Sequence, residues 1–321
     1  MGNARLTRRL FLAQIAAFTA ARGASAPWKL ATGLNGFGSS EQYHDKTYDY
    51  DEILKFTHDE GFQGIEAWRS WRSGYPEPGD EAGIQAMRKK VEDYGLQIFS
   101  IQAGGPRGVN PLSADSAEQK KYTDALKSYV DLAVKLGCDA MGLWQGGRSE
   151  GLEEDELIER FATAIKPAAQ YAVDEGIFMA IEGEPPLLVN SLARYHKLFA
   201  AVGMKEFKAI FDPSHFDVLG GAQGKPEDML RDIGVDRIGY IQFCDGDSTL
   251  RPTPNGRPGT SKHLPCGVGK YDIELQLKIL HEGGFKGWFQ IDSWATEDPY
   301  ETSRTCKNAT VSYLKKAGAW G

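Results

Sequence analysis

The sequence predicts a closed (β/α)8 TIM barrel of the α/β class, formed by a single domain. Short apolar runs alternate strictly with longer amphipathic stretches, eight of each, and polar residues end the last four apolar runs. Strict alternation implies an all-parallel sheet, and eight units in roughly 290 residues suit a barrel whose usual size is about 250 residues before insertions. The alternative is an open doubly wound sheet, which usually has a glycine-rich turn after its first strand. Residues 35–38 lack the third glycine of that turn, and we expect no helix directly behind them.

The elements follow one another at regular intervals along the chain. Strands are predicted at residues 30–34, 64–68, 97–102 and 140–144, and then in runs that reach Glu182, Asp212, Gln242 and Asp292. Helices are predicted from 3.6-residue periodicity at residues 50–58, 80–94, 116–136, 153–174, 191–201, 226–233, 272–281 and 301–316. Glycines placed just after several of these stretches, such as Gly95 and Gly137, are typical helix stops. A long loop rich in proline and glycine follows the seventh strand.

The first 26 residues are predicted to be a Tat-type signal peptide, with the barrel at residues 27–321. Arg8 and Arg9 precede a weakly apolar run at residues 11–21, and no acidic residue occurs before Glu41. The run is too short to span a bilayer, so we expect no membrane span in the mature protein. We therefore expect a periplasmic or other extracytoplasmic location. Pro27 disfavours cleavage after Ala26, which leaves a signal-anchored form open, and a basic amphipathic helix is the alternative interpretation.

Composition limits the classes of partner. The formal net charge is −7, and residues 1–26 contain four arginines and no acid, so the acidic excess lies in the barrel. Such a field repels phosphate backbones, and we expect no nucleic-acid partner. None of the four cysteines has the Cys-x-x-Cys spacing of a zinc site. Buried free thiols are expected, with a Cys244–Cys266 disulfide as the alternative. A homo-oligomer remains open.

Four polar residues at strand ends predict a metal site. Asp212 ends an apolar run that Pro213 stops, Glu182 and Gln242 lie 30 residues to either side, and Asp292 ends the eighth run. About 30 residues make one strand–helix–strand unit, so these side chains meet at the carboxyl rim of a barrel. Three clustered carboxylates are unfavourable unless a cation neutralises them. Oxygen donors suit hard divalent ions such as Mg²⁺ or Mn²⁺. The alternatives are an Asx-type turn at Asp212 and rim polar groups without a metal.

The same rim offers candidates for substrate binding. They are Glu66, Trp68, Gln102, Trp144, Glu184, His215, Lys262 and His263. Flat aromatic faces suit the C–H surfaces of sugars, although ordinary packing between helices and barrel also explains some of these aromatics. Lys262 and His263 lie on the long loop, where a solvated loop tip is an equal alternative. No glycine-rich phosphate cradle is present, so a phosphorylated substrate is not implied.

The order of elements and these motifs resembles the xylose isomerase-like TIM barrels, the superfamily of sugar phosphate isomerases/epimerases that includes AP endonucleases of family 2. In that family one metal is held by a glutamate, an aspartate, a histidine and a glutamate after strands five to eight. Glu182 and Asp212 match the first two positions. Gln242 stands where the histidine is usual, and Asp292 where the glutamate is usual. The resemblance implies a divalent cofactor, Mn²⁺, Mg²⁺, Co²⁺ or Zn²⁺.

The function implied by the resemblance is isomerisation or epimerisation of a keto-sugar, by proton transfer next to a carbonyl through an enediolate. Glu182, Asp292 and His215 are the expected catalytic residues. Asp292 is one methylene shorter than glutamate, and a displacement of about 1 Å can lower a rate about a hundredfold, so two-base epimerisation is in doubt. The alternatives are a metal-dependent lyase or dehydratase on a keto-sugar or 3-keto-glycoside, and a non-catalytic sugar-binding barrel. A DNA-repair nuclease is disfavoured by the charge and by only six histidines.

Overall fold

A computed structural model describes residues 27–69, 75–106, 108–145, 151–185, 187–219, 225–251 and 260–320. The predicted signal peptide at residues 1–26 lies outside these ranges. Within them, no helix is both long and apolar enough to cross a membrane.

Eight parallel strands close into a barrel, as the sequence predicts. They are β1 (Lys29–Gly33), β2 (Gly64–Trp68), β3 (Gln97–Gln102), β4 (Ala140–Leu143), β5 (Phe178–Ile181), β6 (Lys208–Phe211), β7 (Ile238–Phe243) and β10 (Trp288–Ile291). Each strand pairs with the strands next to it in the barrel. The barrel closes between β1 and β10, where Lys29 is opposite Trp288 and Thr32 is opposite Ile291. All strands therefore direct their carboxyl ends towards one rim.

Ten helices accompany the barrel in the described part of the chain. They are α1 (Leu34–His44), α2 (Tyr50–Asp59), α3 (Glu81–Asp93), α4 (Ser116–Leu136), α5 (Glu154–Asp174), α6 (Leu192–Val202), α7 (Pro213–Leu219), α8 (Pro226–Ile233), α9 (Ile273–Glu282) and α10 (Pro299–Lys316). The eight predicted helices are present. Two short helices, α1 and α7, were not predicted and begin directly after β1 and β6. The expectation that no helix follows the first strand was therefore wrong.

Aspartate side chains fix the starts of several helices. Asp49, Asp115 and Asp298 each accept a hydrogen bond from a backbone N–H in the first turn of α2, α4 and α10, respectively. These caps satisfy N–H groups that have no partner within the helix. Gly137 ends α4 in the left-handed conformation, at φ 84°, as its position in the sequence predicts. These three helix starts thus depend on residues that do not line the cavity at the carboxyl rim.

The barrel interior is a packed core rather than a pore. Small residues from some strands face large ones from others, and the cluster comprises Ala31, Phe99, Ala140, Ala180, Ile210, Tyr240 and Trp288. Phe99 stacks on Trp288 with ring centroids 4.8 Å apart and meets Tyr240 edge-to-face. This layer fills the barrel interior below the carboxyl rim, so the described part of the interior can admit a ligand only at the rim.

The connection from β7 to α9 carries a small hairpin of β8 (Leu250–Arg251) and β9 (Thr260–Ser261), which pair antiparallel. Asp245 and Leu264 form a backbone bridge beside it. The buried Asp245 carboxylate accepts backbone N–H bonds from Gly267 at 2.8 Å and from Gly269 at 3.0 Å. A Cβ at position 269 would overlap Asp245, so glycine is required for this close approach. Asp245 therefore fixes the path of the chain at residue 264 and shortly after it.

The four cysteines, Cys138, Cys244, Cys266 and Cys306, are buried free thiols. Cys266 donates its backbone N–H to the Cys306 sulfur at 3.1 Å. The expected state of buried thiols is confirmed, and the Cys244–Cys266 disulfide is not formed.

Candidate active site at the carboxyl rim

A cavity of about 300 Å³ opens at the carboxyl ends of the barrel strands. It is lined by Asn35, Gln42, Glu66, Trp68, Gln102, Trp144, Glu182, Glu184, Leu187, His215, Gln242, His263, Asp292 and Trp294. Asp212 contacts two of these residues, His215 and His263. The strand-end residues predicted from their spacing are therefore assembled in one place.

Four buried carboxylates dominate the electrostatics of the site. Glu66, Glu182, Asp212 and Asp292 are each no more than 4% exposed. Burial, followed by the nearby charges of Asp212 and Asp292, raises the pKa of Glu182 well above its usual range. Burial also raises the pKa of Glu66 to about 7 and that of Asp292 above its usual value. Since repulsion and desolvation both disfavour charge here, the site has a strong affinity for protons or for a cation.

Asp212 is the exception among the four. Burial alone would raise the pKa of Asp212, but the charges of His215 and His263 outweigh it and lower that pKa below its usual range. Its Oδ1 accepts hydrogen bonds from the Ser214 backbone N–H at 2.8 Å and from the Ser214 hydroxyl at 2.7 Å. Its Oδ2 lies 3.0 Å from His263 Nε2. Asp212 therefore remains ionised, with only Oδ2 directed towards the histidines.

Glu182 is held by donors from neighbouring strands. Its Oε2 accepts hydrogen bonds from Gln102 Nε2 at 2.9 Å and from Trp144 Nε1 at 2.5 Å. Its Oε1 lies 3.2 Å from His215 Nε2, while His215 Nδ1 is 2.9 Å from the Ser261 hydroxyl. Pro213 at the start of α7 places His215 on the first turn of that helix, above the end of β6. One carboxylate oxygen is thus fixed as an acceptor, and the other faces an imidazole.

Glu66 fixes the orientation of Gln242. Glu66 Oε2 accepts a hydrogen bond from Gln242 Nε2 at 2.7 Å, and Glu66 Oε1 accepts one from the Tyr240 hydroxyl at 2.7 Å. Since the amide nitrogen is bound to Glu66, the amide oxygen must turn the other way. Gln242 Oε1 is buried, and no donor from the described residues reaches it. A buried amide oxygen without a donor is unfavourable unless a ligand binds it, and it is a suitable donor atom for a hard cation.

Asp292 is held by a residue that the sequence reasoning missed. Asn35 Nδ2 donates to both oxygens of Asp292, at 3.2 Å and 2.9 Å, and the Trp294 backbone N–H donates to Oδ1 at 2.8 Å. Asn35 follows the end of β1, just as Asp292 follows the end of β10. The rule that found Asp292 would have found Asn35, had the first strand been searched for polar residues at its end. Tyr240, the partner of Glu66, was also missed because it lies within a strand.

The candidates for substrate binding divide into two groups. Glu66, Trp68, Gln102, Trp144, Glu184, His215 and His263 line the cavity, as predicted, whereas Lys262 is absent from its described lining. Lys262 Nζ instead donates to Asp247 Oδ2 at 3.0 Å. His263 is only 2% exposed, so the alternative of a solvated loop tip is wrong for this residue.

Within the described ranges of the chain, two groups of side chains have the arrangement of metal ligands. Asp212, His215 and His263 form one, and Glu182, Glu184 and His215 form the other, with ligand atoms within 4.8 Å of one another in each group. The predicted ligands Gln242 and Asp292 line the same cavity. The carboxylate excess and the Gln242 amide oxygen, to which no described residue donates, both fit a divalent cation, and neither of the two groups contains Gln242 or Asp292.

Comparison with known proteins identifies the family. The family model described as "Xylose isomerase-like TIM barrel" matches residues 54–309. The chain belongs to this family. A putative hydroxypyruvate isomerase of Streptomyces coelicolor is 26% identical over 256 residues, which cover 74% of this chain and 83% of that protein. An inosose isomerase of Halalkalibacterium halodurans is 22% identical over 262 residues, covering 76% and 89% of the two chains.

Solved structures of the xylose isomerase-like barrels share the fold. The crystal structure of the IolI protein with a bound zinc atom superposes with a TM-score of 0.67 at 16% identity, and the match covers 90% of this chain and 98% of that one. At this identity the similarity shows the architecture of the barrel and no more. The chemistry of the present xylose isomerase-like barrel must be argued from its own residues.

Proposed function

We propose that this chain is a divalent-metal-dependent isomerase or epimerase that acts on a keto-sugar. The observation that carries the proposal is the set of four buried carboxylates together with the buried Gln242 amide oxygen, to which no described residue donates, at the rim where barrel enzymes bind their substrates. Two curated relatives named as isomerases, at 26% and 22% identity, support the same class of reaction. The chain is accordingly an enzyme of the sugar isomerase/epimerase type.

In the proposed reaction, different residues of the site act as the base, carry the proton and orient the base. A bound divalent cation would polarise a sugar carbonyl and its neighbouring hydroxyl. Glu182 Oε1, which is not held by a neutral donor, removes the proton next to the carbonyl. His215 Nε2, 3.2 Å from that oxygen, holds or returns the proton. Gln102 and Trp144 keep the other Glu182 oxygen in place, so that the base does not rotate away.

The lining supports an uncharged substrate. Among the described residues around the cavity there is no lysine or arginine, while several are carboxylates. Such a lining repels a phosphate group and accepts hydrogen bonds from hydroxyls. Trp68, Trp144 and Trp294 add flat apolar surfaces of the kind that suits sugar rings. We therefore propose an unphosphorylated keto-sugar, bound through its hydroxyls.

A second candidate function is elimination from a keto-sugar or 3-keto-glycoside. The observation that favours it is the state of Asp292, whose two oxygens are both occupied by Asn35, with a third donor from the backbone. A carboxylate held in this way is a ligand rather than a mobile base. Glu182 is then the single base, and His215 gives a proton to the departing oxygen. Elimination needs only one base, so the loss of Asp292 as a second base favours elimination over two-base epimerisation.

Metal content of the purified protein, measured by elemental analysis, tests the proposal. We expect about one divalent ion per chain in the wild type and its loss in Asp212→Ala. The matched control is Asp217→Asn, a buried carboxylate on α7 whose Oδ2 accepts a hydrogen bond from the Tyr271 hydroxyl. This control should retain the ion. A wild type that stays metal-free after incubation with Mn²⁺, Mg²⁺, Co²⁺ and Zn²⁺ would exclude both the isomerase and the lyase hypothesis. The non-catalytic sugar-binding barrel would then be the hypothesis that is left.

The two reactions are then separated by their products. We expect unphosphorylated keto-sugars to exchange the proton next to the carbonyl with deuterium in D₂O in either case. Recovery of an isomeric sugar supports isomerisation, whereas release of an alcohol or water with formation of an unsaturated ketone supports elimination. Glu182→Gln should abolish exchange in both.

A further inference from the structure

His263 reaches the site from outside the barrel strands. It follows β9 in the connection between β7 and α9, and its ring is 2% exposed. The Asp245–Leu264 bridge and the bonds that Asp245 accepts from Gly267 and Gly269 fix the chain next to it. These backbone contacts therefore fix the position of the His263 side chain, and its Nε2 lies 3.0 Å from Asp212 Oδ2.

The hydrogen bonding of the ring defines which nitrogen faces Asp212. His263 Nδ1 lies 3.2 Å from the backbone carbonyl oxygen of Ser261. A carbonyl oxygen only accepts, so Nδ1 carries the hydrogen, and the neutral ring presents a lone pair at Nε2. That lone pair would face the carboxylate oxygen of Asp212 at 3.0 Å, and two acceptors at this distance repel each other. A positive charge, a proton or a metal ion, must lie between or beside them.

One distance is that expected between two ligands of one ion, and it is also that of an ordinary N–H···O hydrogen bond. Two atoms bound to a metal at about 2.1 Å and at right angles lie about 3.0 Å apart. The Asp212 Oδ2 to His263 Nε2 distance has this value. In proteins, a metal-binding histidine is also usually oriented in this way: its other ring nitrogen carries the hydrogen and donates it to a carbonyl oxygen.

We infer that His263 is a metal ligand through Nε2, delivered by the connection after β7 rather than by the end of β7, where Gln242 offers only an oxygen. This inference rests on the proposed function, since it requires a cation at Asp212. Its consequence concerns the kind of ion. An imidazole nitrogen added to oxygen donors favours Mn²⁺, Co²⁺ or Zn²⁺ over Mg²⁺.

The test compares Mn²⁺ binding by wild type, His263→Gln and His263→Asn, followed by electron paramagnetic resonance. Free Mn²⁺ gives the dissociation constant, and electron spin echo modulation of the bound ion reports directly coordinated nitrogen. We expect each variant to bind Mn²⁺ about 10- to 100-fold more weakly and to lose nitrogen modulation. The control is His196→Gln, an exposed histidine on α6 that pairs with Asp232. It should behave as wild type. His215→Gln, measured alongside, identifies any modulation that His215 contributes.

Three outcomes would overturn the inference. Wild-type affinity and modulation in folded His263→Gln mean that the ring is not a ligand. Weaker binding with unchanged modulation means that His263 only orients Asp212. A wild type that binds no Mn²⁺ and no other offered ion removes the proposed function together with this inference, whereas the first two outcomes leave the metal enzyme intact.

Discussion

At the residue scale, the orientation of one amide depends on one carboxylate. Gln242 Nε2 donates to Glu66 Oε2, and this bond turns the amide oxygen away from Glu66. A glutamine at position 66 would present an N–H₂ group to one of its two donors, Gln242 or Tyr240. Outer partners of metal ligands typically change affinity 10- to 100-fold when they are replaced. Glu66 is thus a positioning residue with no need to touch the ion.

We predict that Glu66→Gln weakens divalent metal binding about 10- to 100-fold, as measured by calorimetric titration. Tyr240→Phe is the matched control, because it removes only the donor to Glu66 Oε1 and leaves the bond to Gln242. We expect Tyr240→Phe to bind metal within a few-fold of wild type. Equal metal affinity in Glu66→Gln and wild type would show that Gln242 is not oriented in this way.

The residues of the site were predictable to differing degrees. Glu182, Asp212 and Asp292 each end an apolar run, so spacing alone predicted that they would meet. His263 follows no strand of the barrel, and its contact with Asp212 depends on the path of a loop across 51 residues of sequence separation. Periodicity contains no information on such a path. The pairing of Asn35 with Asp292 was missed for a different reason, because Asn35 was considered only as part of a possible glycine-rich turn at residues 35–38.

At the element scale, Gly142 on β4 has no side chain and so leaves room for the Tyr240 side chain of β7. A Cβ on Gly142 would overlap the Tyr240 hydroxyl and lie 3.0 Å from Gln102 Oε1. Tyr240 and Gln102 in turn hold Glu66 and Glu182. The packing of β4 against Gln102 of β3 and against Tyr240 of β7 across the barrel is therefore linked to the orientation of two carboxylates in the cavity.

We predict that Gly142→Ala lowers the free energy of unfolding by about 1–3 kcal/mol, the usual range for overpacking a core. Urea denaturation followed by circular dichroism measures the change. The loss should be smaller when Gly142→Ala is made in a Tyr240→Phe background, because the overlapping hydroxyl is then absent. Additive effects of the two substitutions would contradict a direct steric conflict between them.

Short elements account for the differences between the predicted and observed fold. The α1 helix contains Gly36 and Gly38, which are poor helix formers, so propensity argued against it. The α7 helix directly follows Asp212, where a turn was expected, and Pro213 fits its first position. The two-residue strands β8 and β9 are too short to show any periodicity. The eight barrel strands were recognisable because each is a buried apolar run with a helix behind it.

At the scale of the whole molecule, the first and last parts of the barrel are joined by ion pairs. Glu60, just after α2, accepts hydrogen bonds from Arg304 Nε at 2.9 Å and Lys307 Nζ at 2.5 Å, both on α10. Burial alone would raise the pKa of Glu60, but the hydrogen bonds of Lys307 and Arg304 outweigh it and lower the pKa. Lys307 also donates to the Glu60 backbone carbonyl at 2.8 Å. This cluster connects α2 to α10 where β1 meets β10.

We predict that Glu60→Gln lowers the free energy of unfolding by about 0.5–1 kcal/mol at pH 7, since the group is half-buried and solvent screens the pairs. A carboxyl whose pKa is lower in the folded state stabilises the protein above the pKa of the unfolded chain. That contribution disappears as the pH falls through the folded pKa. The difference between wild type and variant should therefore vanish in acid. A constant difference from pH 7 to pH 3 in urea titrations would contradict this account.

The indole of Trp144 has a further consequence. It donates directly to Glu182, at 2.5 Å, from the wall of the cavity. The emission of a tryptophan depends strongly on charges within a few ångströms of its ring. Protonation of Glu182, arrival of a cation or entry of a sugar would each alter that environment. The barrel thus contains an intrinsic fluorophore beside Glu182, the base of the proposed reaction, and we expect binding to be followed optically without any label.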